Sequence, residues 1–383
     1  MTAYAVRMPA DAPAPGPIER IRVRSCLESL PTYVPGGRAP DGFKASSNES
    51  PFPPIRAVRD AAVAAIETIN RYPDMGVQEL REALGARHSV ALEQIAVSTG
   101  SSAVIGDLIR ALVDQGDEVV FAWRSFEAYP ILVGAQGGTP VPVPLIDGHA
   151  HDLDAMAAAI TDRTRLVLLC TPNNPTGASL STREMRDFLA AVPDHVVVAI
   201  DEAYREFHGP ATVADTAELF RAHANVVLLR TFSKLHGLAG LRIGYAVAHP
   251  RLAAALAAVT IPFGASLPAQ AAALTALDPE VTLELGERAR WIRAQRDRVE
   301  DALLADGWQM HRSQGNFVYL PLGADSAAFA QFAQERGLIV RAYGADGVRV
   351  TISEEAANDL LLDIAAQWRR RDGAPEVTST SSV

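Results

Sequence analysis

A chain of 383 residues, 48% hydrophobic and 21% charged, is long enough to bury two cores, and its formal charge of -10, with no basic stripe in the sequence, argues against a nucleic-acid footprint. Its apolar runs, such as the strand-length LVLLC (166–170), are too short for a bilayer. Two cysteines, Cys26 and Cys170, exclude a disulfide framework or metal-ligand spacing and fit a reducing cytoplasm, so small-molecule partners are expected.

The opening MTAYAVRMPADAPAPGP lacks a hydrophobic signal core, and residues 1–20 and 372–383 are expected to be extended or disordered tails. IRAVRDAAVAAIETI then places Ile55, Val58, Ala62, Ala65, Ile66 and Ile69 on one helical face. QIAVS predicts a strand, followed by a helix from about Ser102 that carries Ile105, Leu108, Ile109 and Leu112. Further strands are predicted at EVVFA (118–122), RLVLLC (165–170), VVVAID (196–201), VVLLRT (226–231) and IGYAVA (243–248), and Ser181 with Glu184 forms a capping box that opens a helix. This alternation of strands and helices is the rhythm of an α/β fold with a mostly parallel sheet. After residue 275 the texture changes to a long helix near 281–305, then NFVYLPL, GLIVRAY and GVRVTIS. A large domain over 49–275 and a smaller α+β domain over 276–371, to which the N-terminal segment 21–48 contributes, is the expected division.

Candidate chemistry clusters where strands end. GSS (100–102) opens a helix, where free N–H groups favour an anion; a plain capped turn reads the same way. TPNNPTG (171–177) is either an ordinary loop or a strand-end ligand loop. Asp201 ends an otherwise apolar strand, at the edge where open α/β sheets bind ligands, although a solvated carboxylate also fits. Lys234 in TFSKLHGLAG has few charged neighbours, and desolvation there would make its amine a nucleophile; most lysines are surface charges. Together the four stretches supply what pyridoxal 5'-phosphate needs: hydroxyls and an arginine for the phosphate, a carboxylate for the ring nitrogen and an amine for the aldehyde.

The order and spacing of Asn174, Asp201, Tyr204, Lys234 and Arg242 resemble fold-type I aminotransferases of the class I/II group. The resemblance covers about Leu30 to Leu360 and is strongest to the histidinol-phosphate aminotransferases and the related aromatic or phenylalanine aminotransferases. LPTYVPGG, SSNESPFPP, NRYPD, TGSS, FAWRSFEAYP, TPNNPTG, DEAYREF, RTFSKLHGLAGLRIGY, SQGNFVYLPL and GVRVTIS carry it. The fold it implies is a seven-stranded, mostly parallel sheet between helices with a smaller α+β domain. It implies that Lys234 binds the aldehyde, Asp201 the ring nitrogen, and Asn174 and Tyr204 the phenolic oxygen. Gly100, Ser101, Ser102, Thr231, Ser233 and Arg242 would form the phosphate site and Phe126 would stack on the ring. Tyr72 would reach the cofactor phosphate of a neighbouring subunit, so the resemblance implies a homodimer with shared sites. Arg349 would clamp the substrate α-carboxylate, with Tyr33, Asn48 and Arg341 near the substrate entrance. The chain departs from the group's pattern at Leu235-His236 and Gly315, and His236 is either a polar contact near the cofactor or a partly exposed helix-start histidine.

The implied activity is a ping-pong transamination between an L-amino acid and a 2-oxo acid. FAWRSFEAYP resembles the aromatic branch, with Trp123, Phe126 and Tyr129 as an aromatic wall, so an aromatic donor and 2-oxoglutarate as acceptor are expected; histidinol phosphate is the alternative donor. A pyridoxal-phosphate lyase, decarboxylase or oxidase shares the same residues. A nicotinamide dehydrogenase needs G-x-G-x-x-G, which GSSAVIG does not supply, and a regulator built on such a domain would need a DNA-binding module for which the stretch before residue 30 leaves no room.

Overall fold

Unbroken apolar runs such as LVLLC need cover on both faces, and that requirement shapes the main sheet. The computed structural model describes residues 23–28, 30–32, 37, 42–209 and 214–371; the expectations for residues 1–20, residues 372–383 and Tyr33 lie outside the described residues. After a short β1 (Phe43–Lys44), the sheet is built from β2 (Ile95–Ser98), β3 (Glu118–Trp123), β4 (Thr139–Pro144), β5 (Thr164–Cys170), β6 (Val197–Asp201), β7 (Val226–Thr231) and β8 (Gly244–Val247). Their spatial order is β2-β8-β7-β6-β5-β3-β4. β4, β3, β5, β6 and β7 run parallel, and β8 is antiparallel to both of its neighbours.

Side chains alternate across the strands, so each strand feeds two cores. Val119, Phe121, Leu166, Leu168, Val227 and Leu229 pack with one face of the helix Ser101–Leu112, while Val120, Val167, Val198 and Leu228 belong to the core on the other side. The covering helices begin with α1 (Arg56–Ile66), α2 (Gln78–His88), α3 (Ser101–Leu112) and α4 (Ala128–Gln136). α3 buries Val104, Ile105, Leu108 and Ile109, close to the expected face.

Two elements depart from expectation. α1 stops at Ile66, and Ile66 and Ile69 are exposed instead of facing the core with Val58. The helical period identified an apolar face without saying what covers it. β4, with sequence TPVPVP, was not anticipated because alternating prolines argue against a strand; it forms at the sheet edge, where missing N–H donors cost no ladder bond.

Beyond the long helix Pro279–Ala305, β9 (Phe317–Leu320), β10 (Leu338–Ile339), β11 (Arg341–Tyr343) and β12 (Gly347–Thr351) follow. β11, β12 and β9 form an antiparallel sheet, and β10 pairs with β1. That pairing draws segment 43–48 against the C-terminal part of the chain. The parallel strands all end at one edge of the main sheet, and reversed β8 begins there. Residues 98–102, 123–126, 170–177, 201–204, 231–234 and 242–244 therefore meet.

Candidate active site

At that edge lies a cavity of about 300 Å³, lined by Ser101, Ser102, Phe126, Asn174, Asp201, Tyr204, Thr231, Ser233, Lys234 and Arg242, with Ser47, Glu49 and Cys170. Ten of the sequence-derived candidates thus share one space. Segment 46–49 was part of the resemblance, but Ser47 and Glu49 carried no separate signal.

One end of the cavity is built for an anion. Gly100 precedes α3 with φ of 95°, and no side chain caps the helix N-terminus. Arg242, itself in a left-handed conformation with φ of 55°, turns its guanidinium toward this turn: a Cβ on Gly100 would lie 2.6 Å from Nη2. Arg242 Nη1 also reaches the Ser233 hydroxyl at 3.5 Å and donates to the Ala239 carbonyl at 2.9 Å. The Thr231 hydroxyl accepts the Ser233 N–H at 3.1 Å and so shapes the turn. Hydroxyls, a guanidinium and helix N–H groups converge where the helix dipole is positive.

At the centre, the Lys234 ammonium donates to the Ser47 carbonyl at 3.1 Å and lies 5.6 Å from the Tyr204 ring centre. Burial, reinforced by the positive charge of Arg349, lowers its pKa to about 7. Asp201 is buried; its Oδ2 accepts the Tyr129 hydroxyl at 2.8 Å and its Oδ1 the Ala203 N–H at 3.2 Å. Burial raises the Asp201 pKa, and the Tyr129 hydrogen bond opposes that rise. The Tyr204 hydroxyl accepts the Asn48 side-chain amide at 3.0 Å. Asn48 is fully buried, held by Thr351 and Asn316, so it supports Tyr204 instead of lining the cavity. In the TPNNPTG loop, Asn173 braces the backbone through Arg124, Ser125 and Thr176, which leaves Asn174 facing inward.

Arg349 approaches from β12 and is 5% exposed. Its Nη1 donates to Asn174 Oδ1 at 2.5 Å and its Nη2 to the Ser46 carbonyl at 2.6 Å, while its Nε is buried without a partner. No carboxylate among the described residues neutralises it, an expensive state unless an anion arrives. Arg341, its neighbour across β11 and β12, pairs with Glu127 at 2.5 Å. Tyr343 was not singled out from the sequence; its hydroxyl lies 3.4 Å from Asn174 Oδ1.

Tyr72 is 81% exposed and rests on the Phe263 ring at 4.6 Å, outside its own chain's cavity. One expectation is corrected. Trp123 and Tyr129 do not form an aromatic wall: Trp123 borders a separate cleft with Arg124, His149 and His311, and Tyr129 is sealed behind Asp201, stacked edgewise on Phe121 and Phe126. Phe126 alone of the three reaches the cavity. Nearness in the chain grouped the three rings without telling which of them reaches the cavity: Phe126 lies before α4 and Tyr129 within it. His236 packs on Phe232, with Nδ1 buried and unpartnered and burial lowering its pKa to about 3; it does not line the cavity.

Residues 40–364 match the family described as aminotransferase class I and II. The chain belongs to the class I and II aminotransferases. An aromatic amino acid aminotransferase of Rhodococcus jostii (strain RHA1) is 51% identical over 350 residues, covering 91% of this chain and 97% of the relative. One from Streptomyces coelicolor is 48% identical over 353 residues, covering 91% and 98%. Among solved structures, a histidinol-phosphate aminotransferase from Sinorhizobium meliloti in complex with pyridoxal-5'-phosphate has a TM-score of 0.81 at 29% identity, covering 91% and 98%. The aminotransferase fold expected from the resemblance is therefore the fold observed.

Aminotransferases of this family depend on pyridoxal 5'-phosphate, and the cavity fits it on its own evidence. The anion end, the inward amine and a buried carboxylate free of any ion pair among the described residues match the cofactor's phosphate, aldehyde and basic ring nitrogen in type. The space at Gly100 that Arg242 fills would close with any larger side chain.

Proposed function

We propose that this aminotransferase moves the amino group of an aromatic L-amino acid, of the phenylalanine or tyrosine type, to a 2-oxo acid such as 2-oxoglutarate. The observation that carries the amino-acid part is Arg349, a buried guanidinium without a carboxylate partner, suited to a bidentate grip on an α-carboxylate. The aromatic assignment is supported by the names of the relatives near 50% identity.

In this reading Ser101, Ser102, Thr231, Ser233, Arg242 and the α3 N-terminus hold the cofactor phosphate, Phe126 stacks on its ring, and Asn174 and Tyr204 hydrogen-bond its phenolic oxygen. When bound, the cofactor supplies an aldehyde for the amino group and a ring that accepts electrons from the substrate Cα. Asp201 keeps a proton on the ring nitrogen. Arg349 fixes the carboxylate so that the Cα–H bond faces Lys234. The Lys234 amine, whose pKa burial lowers to about 7, would take the Cα proton as general base, hold it at Nζ and, as the conjugate acid, give it to the carbon of the cofactor's former aldehyde. The two half-reactions share this site, which gives ping-pong kinetics.

The active unit is a homodimer in the cytoplasm. Exposed Tyr72 and Phe263, with Ile66, Ile69, Met75 and Ile261 also exposed, offer an apolar surface that a second copy would cover, and Tyr72 would then serve the partner's phosphate site. Two free cysteines suit a reducing compartment, and no helix among the described residues is long and apolar enough to cross a membrane. The seven-stranded sheet, set apart from the three-stranded sheet and the β1–β10 pair, supports a division into a cofactor-binding unit (49–275) and a smaller unit (276–371) to which segment 21–48 contributes.

The deciding measurement is kcat/KM for L-phenylalanine and histidinol phosphate under one set of conditions, with product analysis for the 2-oxo acid. Phenylalanine is expected to be favoured. A tenfold preference for histidinol phosphate overturns the aromatic assignment, and release of ammonia or carbon dioxide in place of amino transfer overturns the transaminase.

A further inference from the structure

A carboxylate partnered with a pyridine nitrogen must be ionised and correctly aimed, yet Asp201 sits where burial favours its neutral acid. Among the described residues no arginine or lysine pairs with it; two hydrogen bonds hold it instead, from the Ala203 N–H and from the Tyr129 hydroxyl. The tyrosine bond is the shorter, at 2.8 Å.

Tyr129 is held in place for this contact. It lies one residue into α4, is fully buried, and is fixed by edgewise contacts with Phe121 and Phe126 at 5.9 and 5.6 Å. A phenol has one proton to donate, and here Asp201 Oδ2 accepts it. Phe126, which lines the cavity, packs against the same ring, so one short stretch of chain both bounds the cofactor space and supports its carboxylate from behind. Three further titratable groups face Asp201: Glu202, whose charge opposes ionisation, Lys234, whose charge favours it, and the thiol of Cys170, paired in register with Asp201 across β5 and β6, which burial keeps uncharged by pushing its pKa up.

We propose that Tyr129 is a positioning residue for transamination: its phenol donates to Asp201 from outside the cavity, orienting the carboxylate toward the cofactor's ring nitrogen and holding it as an anion. The proposal rests on the assignment of Asp201 made above. It gives Tyr129 an effect that depends on the basic nitrogen and on nothing else in the cofactor.

Tyr129→Phe keeps the ring and deletes only the hydroxyl. The test compares binding of two cofactors to cofactor-free protein: pyridoxal 5'-phosphate, and its analogue with carbon in place of the ring nitrogen. Tyr129→Phe is expected to weaken pyridoxal phosphate roughly tenfold or more, the scale of one lost hydrogen bond to a charged group, and to leave the analogue within about twofold of wild type. In turnover, kcat should fall with KM for the amino donor little changed. Equal losses for both cofactors would reduce Tyr129 to a structural residue and overturn the proposal, as would no loss for either. Failure of the wild type to bind pyridoxal phosphate would instead sink the cofactor assignment. Should Tyr129→Phe not fold, the infrared difference between wild type and Asp201→Asn decides: an ionised carboxylate at neutral pH is expected, and a protonated one overturns the proposal.

Discussion

A lysine amine in water is almost wholly protonated at neutral pH, whereas burial and the nearby Arg349 bring that of Lys234 down to about 7. Two expectations follow from that one residue. Lys234→Ala should fold, hold cofactor without a covalent link and lose turnover; borohydride reduction followed by mass spectrometry reads the link, and normal multiple turnover would assign the chemistry to another lysine. The sign of the pH effect is also determined. Between about pH 7 and the free-lysine value near 10.4, the unfolded chain binds a proton that the folded chain does not, so cofactor-free protein gains stability as pH rises through that window and shows no contribution below it. Lys234→Met should flatten the difference in urea midpoint between pH 7 and 9, and an undiminished slope would place the amine in water. Arg349 carries a separate expectation: Arg349→Ala should lower kcat/KM for amino acids by about a hundredfold, about 2.7 kcal/mol of transition-state binding, without weakening cofactor retention. An equal loss for an aromatic amine lacking the carboxylate would show that the arginine acts by some route other than the α-carboxylate.

At the scale of elements, the site depends on how closely β8 approaches α3. A Cβ on Gly244 would lie 2.5 Å from the Ser101 nitrogen and 2.8 Å from the Gly100 carbonyl carbon, backbone atoms that cannot rotate away. Gly244→Ala should therefore push the α3 N-terminus off its place, lowering the melting temperature and raising the concentration of pyridoxal phosphate needed for saturation. A variant with wild-type cofactor affinity would show that the helix start is not part of the phosphate grip. Much of this arrangement could be read in advance, because strands such as VVLLRT and VVVAID are apolar up to their last one or two residues and end in groups that line the site. The chemistry of Lys234, Asp201 and Asn174 lay in short motifs whose neighbours in space are also the ends of neighbouring strands. What stayed hidden depended on distant contacts or on the context of an edge: proline-rich β4, the support of Tyr204 by Asn48, and Tyr129 behind its aspartate. Side-chain type alone cannot distinguish a ring that lines a cavity from one that lies behind its wall.

For the whole molecule, the uncovered end of α1 and the Tyr72–Phe263 contact set the expectation of assembly. Tyr72→Phe and Lys234→Ala subunits, each impaired alone, should regain activity when mixed and refolded, because a hybrid has one site with both native residues. Absence of complementation would return Tyr72 to its own chain, and an active monomer in light scattering would remove the shared site altogether. The antiparallel turn of β8 has a consequence of another kind. β7 and β8 are direct neighbours, so the chain that carries Lys234 and Arg242 leaves and re-enters the sheet at adjacent points, and the closure entropy of so short an excursion is small. The contact between Arg349 and Ser46 instead joins residues 303 positions apart. The loop that bears the amine and the phosphate arginine is thus closed locally, whereas the substrate clamp is closed across the whole chain, so loosening the pairing of segment 43–48 with the C-terminal strands would disturb Arg349 while leaving the closure of that loop intact.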